Sequence, residues 1–205
     1  MNDTPLIHVV DDDESLRTAL LRFLTTAGFE ARGYNSTGEF LLHRPPDRYG
    51  CLLLDVRLPG PSGLDLQEAM REHAINLPVI FMTAHGDVSS SVRAMKSGAV
   101  DFLEKPIARD TLLGALARAL ASDSKKRNER SSAHELRARF ALLTPREREV
   151  FDRVAAGKSN KVIGDELGIA ERTVKVNRAQ LMAKLGVSSP AELGALAEQL
   201  RSLAE

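Results

Sequence analysis

The sequence predicts a doubly wound five-stranded parallel α/β sheet joined to a small all-α domain. Three observations lead there: five short apolar runs alternate with amphipathic stretches through the first half, a polar segment interrupts the pattern, and the last third keeps helical periodicity without a convincing strand. Strand and helix repeating five times place parallel strands side by side with helices on both faces.

The candidate strands are residues 6–10, 31–34, 51–54, 79–82 and 100–103. After the first, residues 15–26 put Leu16, Leu20, Phe23 and Leu24 at helical spacing. Residues 122–133, SDSKKRNERSSA, hold no apolar side chain but the last alanine and offer nothing to a core. Leu136, Phe140 and Leu143 then return at helical spacing. The expected division is a first domain over 1–121, a partly helical linker over 122–141 and a helical domain over 142–205. In that last domain Thr144, Pro145 and Glu147 combine an N-cap, proline at the first helical position and a capping box. A helix should run from Pro145 to Ala156 and stop at Gly157. A second starts at Ser159 or Asn160 and stops at Gly168, a third spans 171–185, and a fourth follows Pro190. Two helices joined by a short glycine-containing turn, the second one basic, form a helix-turn-helix pattern.

Composition narrows the function classes. With 43% hydrophobic and 27% charged residues the chain can bury cores, which excludes wholesale disorder and coiled coil. No apolar run approaches the ~20 residues of a membrane-spanning helix, so no membrane partner is expected. The opening MNDTPLIHVVDDDE meets three aspartates without a basic start, unlike a signal peptide. A single cysteine, Cys51, makes neither an internal disulfide nor a zinc framework, and a cytoplasmic setting follows. The formal net charge is zero, yet residues 1–120 carry 12 basic and 16 acidic side chains and the remainder 16 and 12. An acidic half is thus joined to a basic half, as expected when one part handles cations or phosphate and the other meets a polyanion.

In open α/β sheets ligands bind beyond the carboxyl ends of the strands. Asp11, Asp12 and Asp13 follow the first strand there, and Asp55 follows the third. Such carboxylates repel one another unless a hard dication joins them, and magnesium prefers oxygen donors. Alone, an aspartate run before a helix caps that helix more often than it holds a metal. Thr83 after the fourth strand and Lys105 after the fifth add a hydroxyl and an ammonium to the same rim. His85 reads as a surface-loop histidine, His8 as a structural one within a strand, and Cys51 as a small buried apolar residue.

With those residues in place, VVDDDE, LLLDVRLPGPSGL, VIFMTAHGD and AVDFLEKP follow one another over residues 5–121 in a pattern that resembles the receiver domains of two-component response regulators. The resemblance implies that Asp55 is the phospho-acceptor and that Asp11 and Asp12 bind magnesium with it, the backbone carbonyl of Arg57 being a further ligand. It implies that Lys105 and Thr83 contact the phosphoryl oxygens, that Phe102 is an aromatic switch, and that the Lys105–Pro106 bond is cis. Position alone leaves Phe102 equally readable as a plain core phenylalanine. A carboxylate is a modest nucleophile toward a like-charged phosphoryl group, so such chemistry needs cations to neutralise and align it.

The segment GKSNKVIGDELGIAERTVKVNRAQLMAKLGVSS resembles the helix-turn-helix of the LuxR/FixJ/NarL family, over about residues 143–200. Four basic residues against one acidic over 171–185 suit a helix in the major groove. Helical spacing puts Arg172, Lys175, Val176 and Ala179 on its exposed side. By resemblance Lys175, Val176 and Ala179 face bases, while Lys161, Thr173, Arg178 and Lys184 are candidate backbone contacts. Asn177 stands where the family commonly has histidine. A solvated basic face is the rival reading, and the preceding helix and turn count against it.

Together these features read as a FixJ-type response regulator rather than an enzyme: a sensor histidine kinase phosphorylates Asp55, and the chain then dimerises and binds double-stranded DNA to regulate transcription. A magnesium-dependent phosphohydrolase is the alternative, but Arg57 stands where such hydrolases place a carboxylate. A pseudo-receiver would more often have lost Asp55, Thr83 or Lys105.

Overall fold

The structure, a computed structural model, describes residues 4–43, 45–84 and 88–203, with the backbone alone over 88–90. Five strands, β1 (Leu6–Val10), β2 (Glu30–Tyr34), β3 (Gly50–Asp55), β4 (Val79–Thr83) and β5 (Asp101–Glu104), form one parallel sheet in the order β2-β1-β3-β4-β5. The chain therefore reverses its winding between β1 and β3, and the crevice beyond their carboxyl ends is where this topology places a ligand.

Both faces of the sheet are covered, which explains why β1, β3 and β4 are buried along their whole length. Successive residues alternate faces. Ile7, Val9, Cys51, Leu53, Ile80 and Met82 pack on α1 (Glu14–Thr26) and on the first turns of α5 (Arg109–Ala141). Val10, Leu52, Leu54 and Phe81 pack against α2 (Thr37–Leu42), α3 (Gly63–Glu72) and α4 (Val88–Lys96). Cys51 is wholly buried, and His8 is buried with Nδ1 2.9 Å from the Tyr34 hydroxyl.

The chain divides into two compact units between Arg127 and Asn128. Where the sequence predicts a partly helical linker over 122–141, α5 runs unbroken through all of it. The expectation that residues 122–133 contribute nothing to a core is corrected at Asp123, which is only 1% exposed. Its carboxylate accepts from the Gly50 amide at 3.0 Å and from Arg127 Nε at 2.9 Å, so donors rather than apolar contacts hold it inside.

The second unit is helical: α6 (Pro145–Ala155), α7 (Asn160–Leu167), α8 (Glu171–Leu185) and α9 (Pro190–Ser202) enclose Val150, Ile163, Val174, Leu181 and Leu193. Thr144 and Glu147 form the expected capping box. The α7–α8 turn depends on Gly168, whose φ of 64° is left-handed. It depends also on Gly164, where an added Cβ would lie 2.8 Å from the Ile169 carbonyl. Among the described residues no helix is long and apolar enough to cross a membrane.

Candidate functional site

The carboxyl edge of the sheet gathers the predicted acidic residues. Asp11 follows β1, Asp55 ends the adjacent β3, and one oxygen from each of Asp11, Asp12 and Asp55 lies within 4.8 Å of the others. Asp11 is fully buried and Asp55 nearly so, while Asp12 is exposed. Asp13 does not join them: its side chain accepts from the amides of Ser15 and Leu16 and caps α1.

Lys105 reaches the cluster from the loop after β5. Its Nζ donates to Asp11 Oδ2 at 2.8 Å and also to Asp55 Oδ2. Burial alone would discourage the ammonium charge, but the two carboxylates outweigh it and hold the Lys105 pKa above its ordinary value. Asp11 shows the opposite balance. Burial, with the Asp55 charge adding to it, raises its carboxyl pKa more than Lys105 and the Asp13 amide lower it. Among the described residues, two of the clustered carboxylates share one lysine, and the ligand atoms the three aspartates offer are hard oxygens. That set suits magnesium better than a softer transition metal.

The loop after β3 shapes the floor of the pocket. The Arg57 amide donates to Asp55 Oδ1 at 3.0 Å, and Gly63 at the start of α3 donates to the Val56 carbonyl. Only glycine fits at 63, because an added Cβ would lie 2.2 Å from the Asp55 carbonyl. Thr83 is buried at the end of β4, next to β3 in the sheet. Phe102 is half-buried on β5, its ring centre 6.3 Å from that of Phe81. Lys105–Pro106 is cis. His85 lies outside the described residues.

In the second unit α8 turns Val174, Leu181 and Leu185 inward and leaves Arg172, Thr173, Lys175, Val176 and Ala179 exposed. Lys161 is exposed near the start of α7. Lys175 lies 3.1 Å from Glu171, one turn earlier. Two other predicted phosphate contacts are committed inside the unit. Arg178 donates to Asn160 Oδ1 at 3.0 Å. Lys184 donates to buried Glu147 at 2.7 Å and to the Leu142 carbonyl at 3.3 Å. Burial would raise the Glu147 pKa, but Lys184 and both hydrogen bonds with Thr144 hold it below the usual glutamate value. Charge counting in the sequence could not separate these cations from the exposed ones; the capping-box glutamate, buried beneath α8, was the available sign.

Comparison with known proteins covers both units. The response regulator receiver domain family matches residues 7–117, and the luxR family of bacterial regulatory proteins matches residues 141–197. Nodulation protein W of Bradyrhizobium diazoefficiens is 43% identical over 195 residues, 95% of this chain and 86% of that protein. Transcriptional regulatory protein FixJ of Rhizobium meliloti is 41% identical over 183 residues, 89% of this chain and 90% of its own. The solved structure of the response regulator StyR superposes with a TM-score of 0.87 at 44% identity, covering 96% of this chain and 99% of that one.

Proposed function

Because the chain belongs to the response regulators that join a receiver domain to a LuxR-type DNA-binding domain, and so to the two-component transcriptional regulators, we propose that Asp55 is its phospho-acceptor and α8 its DNA-reading helix. The observation that carries this reading is the convergence of Asp11, Asp12 and Asp55 beside Lys105 at the topological switch point. A sensor histidine kinase is the donor, and the receiver comprises residues 1–121, the linker 122–141 and the DNA-binding domain 142–205.

Asp11, Asp12, Asp55 and the Arg57 carbonyl would hold magnesium, which when bound neutralises phosphoryl charge and aligns the displacement. A carboxylate oxygen of Asp55 attacks the phosphorus of the phosphohistidine. The new P–O bond forms as the P–N bond breaks, and the leaving imidazole keeps the electron pair and takes up a proton. Lys105, already bonded to Asp55, keeps its ammonium on the transferred group as a point charge, and the Thr83 hydroxyl donates to a phosphoryl oxygen. Phosphorylation adds about −1.5 to −2 charges where two carboxylates already share one lysine, which favours a second receiver conformation in which Thr83 and Phe102 have moved.

Phosphate contacts supply most affinity and base edges the specificity. Arg172, Thr173 and Lys161 serve the former, and Lys175, Val176 and Ala179 the latter. Valine and alanine offer only apolar contact, such as to a thymine methyl, so single-domain readout is thin and a homodimer on paired half-sites is the working form. With DNA as its partner, the cytoplasm is the location this reading assigns.

DNA-binding selection with protein treated with acetyl phosphate and magnesium tests the scheme. Treated wild type should enrich paired sites and Asp55→Ala should not. Equal enrichment by both would remove phosphorylation from the mechanism.

A further inference from the structure

Asp11 is held on three sides by groups already described or adjacent to it: its amide donates to the Tyr34 carbonyl at 3.2 Å, its Oδ1 accepts from the Asp13 amide at 3.0 Å, and its Oδ2 accepts from Lys105. The fourth restraint comes from elsewhere. Arg17, on the first turn of α1, turns its side chain back and donates from Nη1 to the Asp11 carbonyl at 2.7 Å. That carbonyl belongs to the peptide joining Asp11 to Asp12. Since a peptide is planar, fixing its oxygen fixes the path of the backbone that aims both carboxylates.

The neighbouring strand is shaped around this reach. Gly33 on β2 pairs in register with Val9. A Cβ added there would lie 3.1 Å from Arg17 Cδ and 3.2 Å from Arg17 Cγ, as well as 2.9 Å from Leu21 Cδ1. The missing side chain at 33 is the space through which the Arg17 stem passes. A guanidinium behind the carbonyl also adds positive charge close to an acidic cluster without occupying any carboxylate oxygen that a metal would use.

We propose that Arg17 is a positioning residue of the acidic pocket: through the Asp11 carbonyl it sets the Asp11–Asp12 peptide for magnesium, in a channel kept open by Gly33. It touches neither metal nor phosphoryl group and acts through the backbone of two ligands. The proposal rests on the reading of the pocket as a magnesium site.

Calorimetric titration of the full chain with Mg²⁺ alone, without phosphoryl donor, tests it. Arg17→Met keeps the stem and removes every donor; its Mg²⁺ affinity should fall about tenfold, the lower end of what losing an outer partner of a metal ligand costs. Arg17→Gln, with a neutral donor on a shorter stem, should fall between the two. Wild-type affinity in Arg17→Met overturns the proposal, including the case where only the unfolding temperature drops, since packing is then its whole role. If Arg17→Met does not fold, unchanged affinity in Arg17→Gln overturns it equally. A wild type that takes up no Mg²⁺ overturns the pocket reading itself, and with it this proposal.

Discussion

Lys184→Met separates two roles that the sequence cannot tell apart. If Lys184 contacts a DNA phosphate, its loss weakens binding to every sequence and lowers the slope of log K against log salt by about 0.9. The structure commits the ammonium to Glu147 Oε2 at 2.7 Å and the Leu142 carbonyl at 3.3 Å. A hydrogen bond to a charged group contributes about 1.5–3 kcal/mol. The lysine side chain is 35% exposed, and Glu147 keeps the Thr144 amide at 2.7 Å after the substitution. Solvent screening of the lysine end brings the expected loss down to about 1–2 kcal/mol. For a unit of this size each kcal/mol moves the midpoint by about 4–8 °C, so a fall of about 4–16 °C is expected. The assay is thermal unfolding of the full chain followed at the Val174 and Leu181 methyl resonances, beside DNA titrations at several salt concentrations. An unchanged midpoint together with a salt slope reduced by about one would refute the internal role.

Arg172 and Lys175 should behave differently from Lys184 and from each other. Arg172→Ala weakens all DNA sequences alike and lowers the salt slope, whereas Lys175→Ala flattens preference at one base position; selection on randomised sites distinguishes them, and identical profiles would contradict the assignment. Gly63→Ala forces a Cβ toward the Asp55 carbonyl. It should cost the receiver about 1–3 kcal/mol by overpacking and slow phosphoryl uptake from acetyl phosphate, while an unchanged rate would show that the start of α3 does not position Asp55. Burial, with Arg32 adding to it, pushes the His8 pKa down from 6.5 to about 4. Because the folded value is depressed, the unfolded chain binds more protons between these values, and receiver stability present above pH 6.5 is lost as pH falls toward 4. Imidazole resonances of His8 that titrate near 6.5 in the folded chain would contradict this.

The strands were legible because period and burial agree: each predicted run lies within a residue or two of its strand, and the central β1, β3 and β4, covered on both faces, show no polar alternation to misread. The pocket was legible for a related reason. Its residues sit at strand ends, so their convergence follows once the strand order is known. Asp123, Arg17 and Lys184 were not legible, and each fails in the same physical way. Their roles depend on where one polar atom meets another across the fold: Asp123 with Gly50, Arg17 with Asp11, Lys184 with Glu147. A hydrophobic pattern records which face is buried and carries no trace of such pairings. Counting charges on α8 therefore overstates what can meet a polyanion, since two of its four cations, Arg178 and Lys184, already have acceptors within the unit. What α8 leaves exposed is Arg172 and Lys175, and the latter lies beside Glu171. One helix with so few available cations makes few phosphate contacts, which supports the proposed homodimer on paired half-sites. That physical shortage is the strongest reason to expect that receiver phosphorylation controls association of chains rather than the shape of the DNA-reading helix.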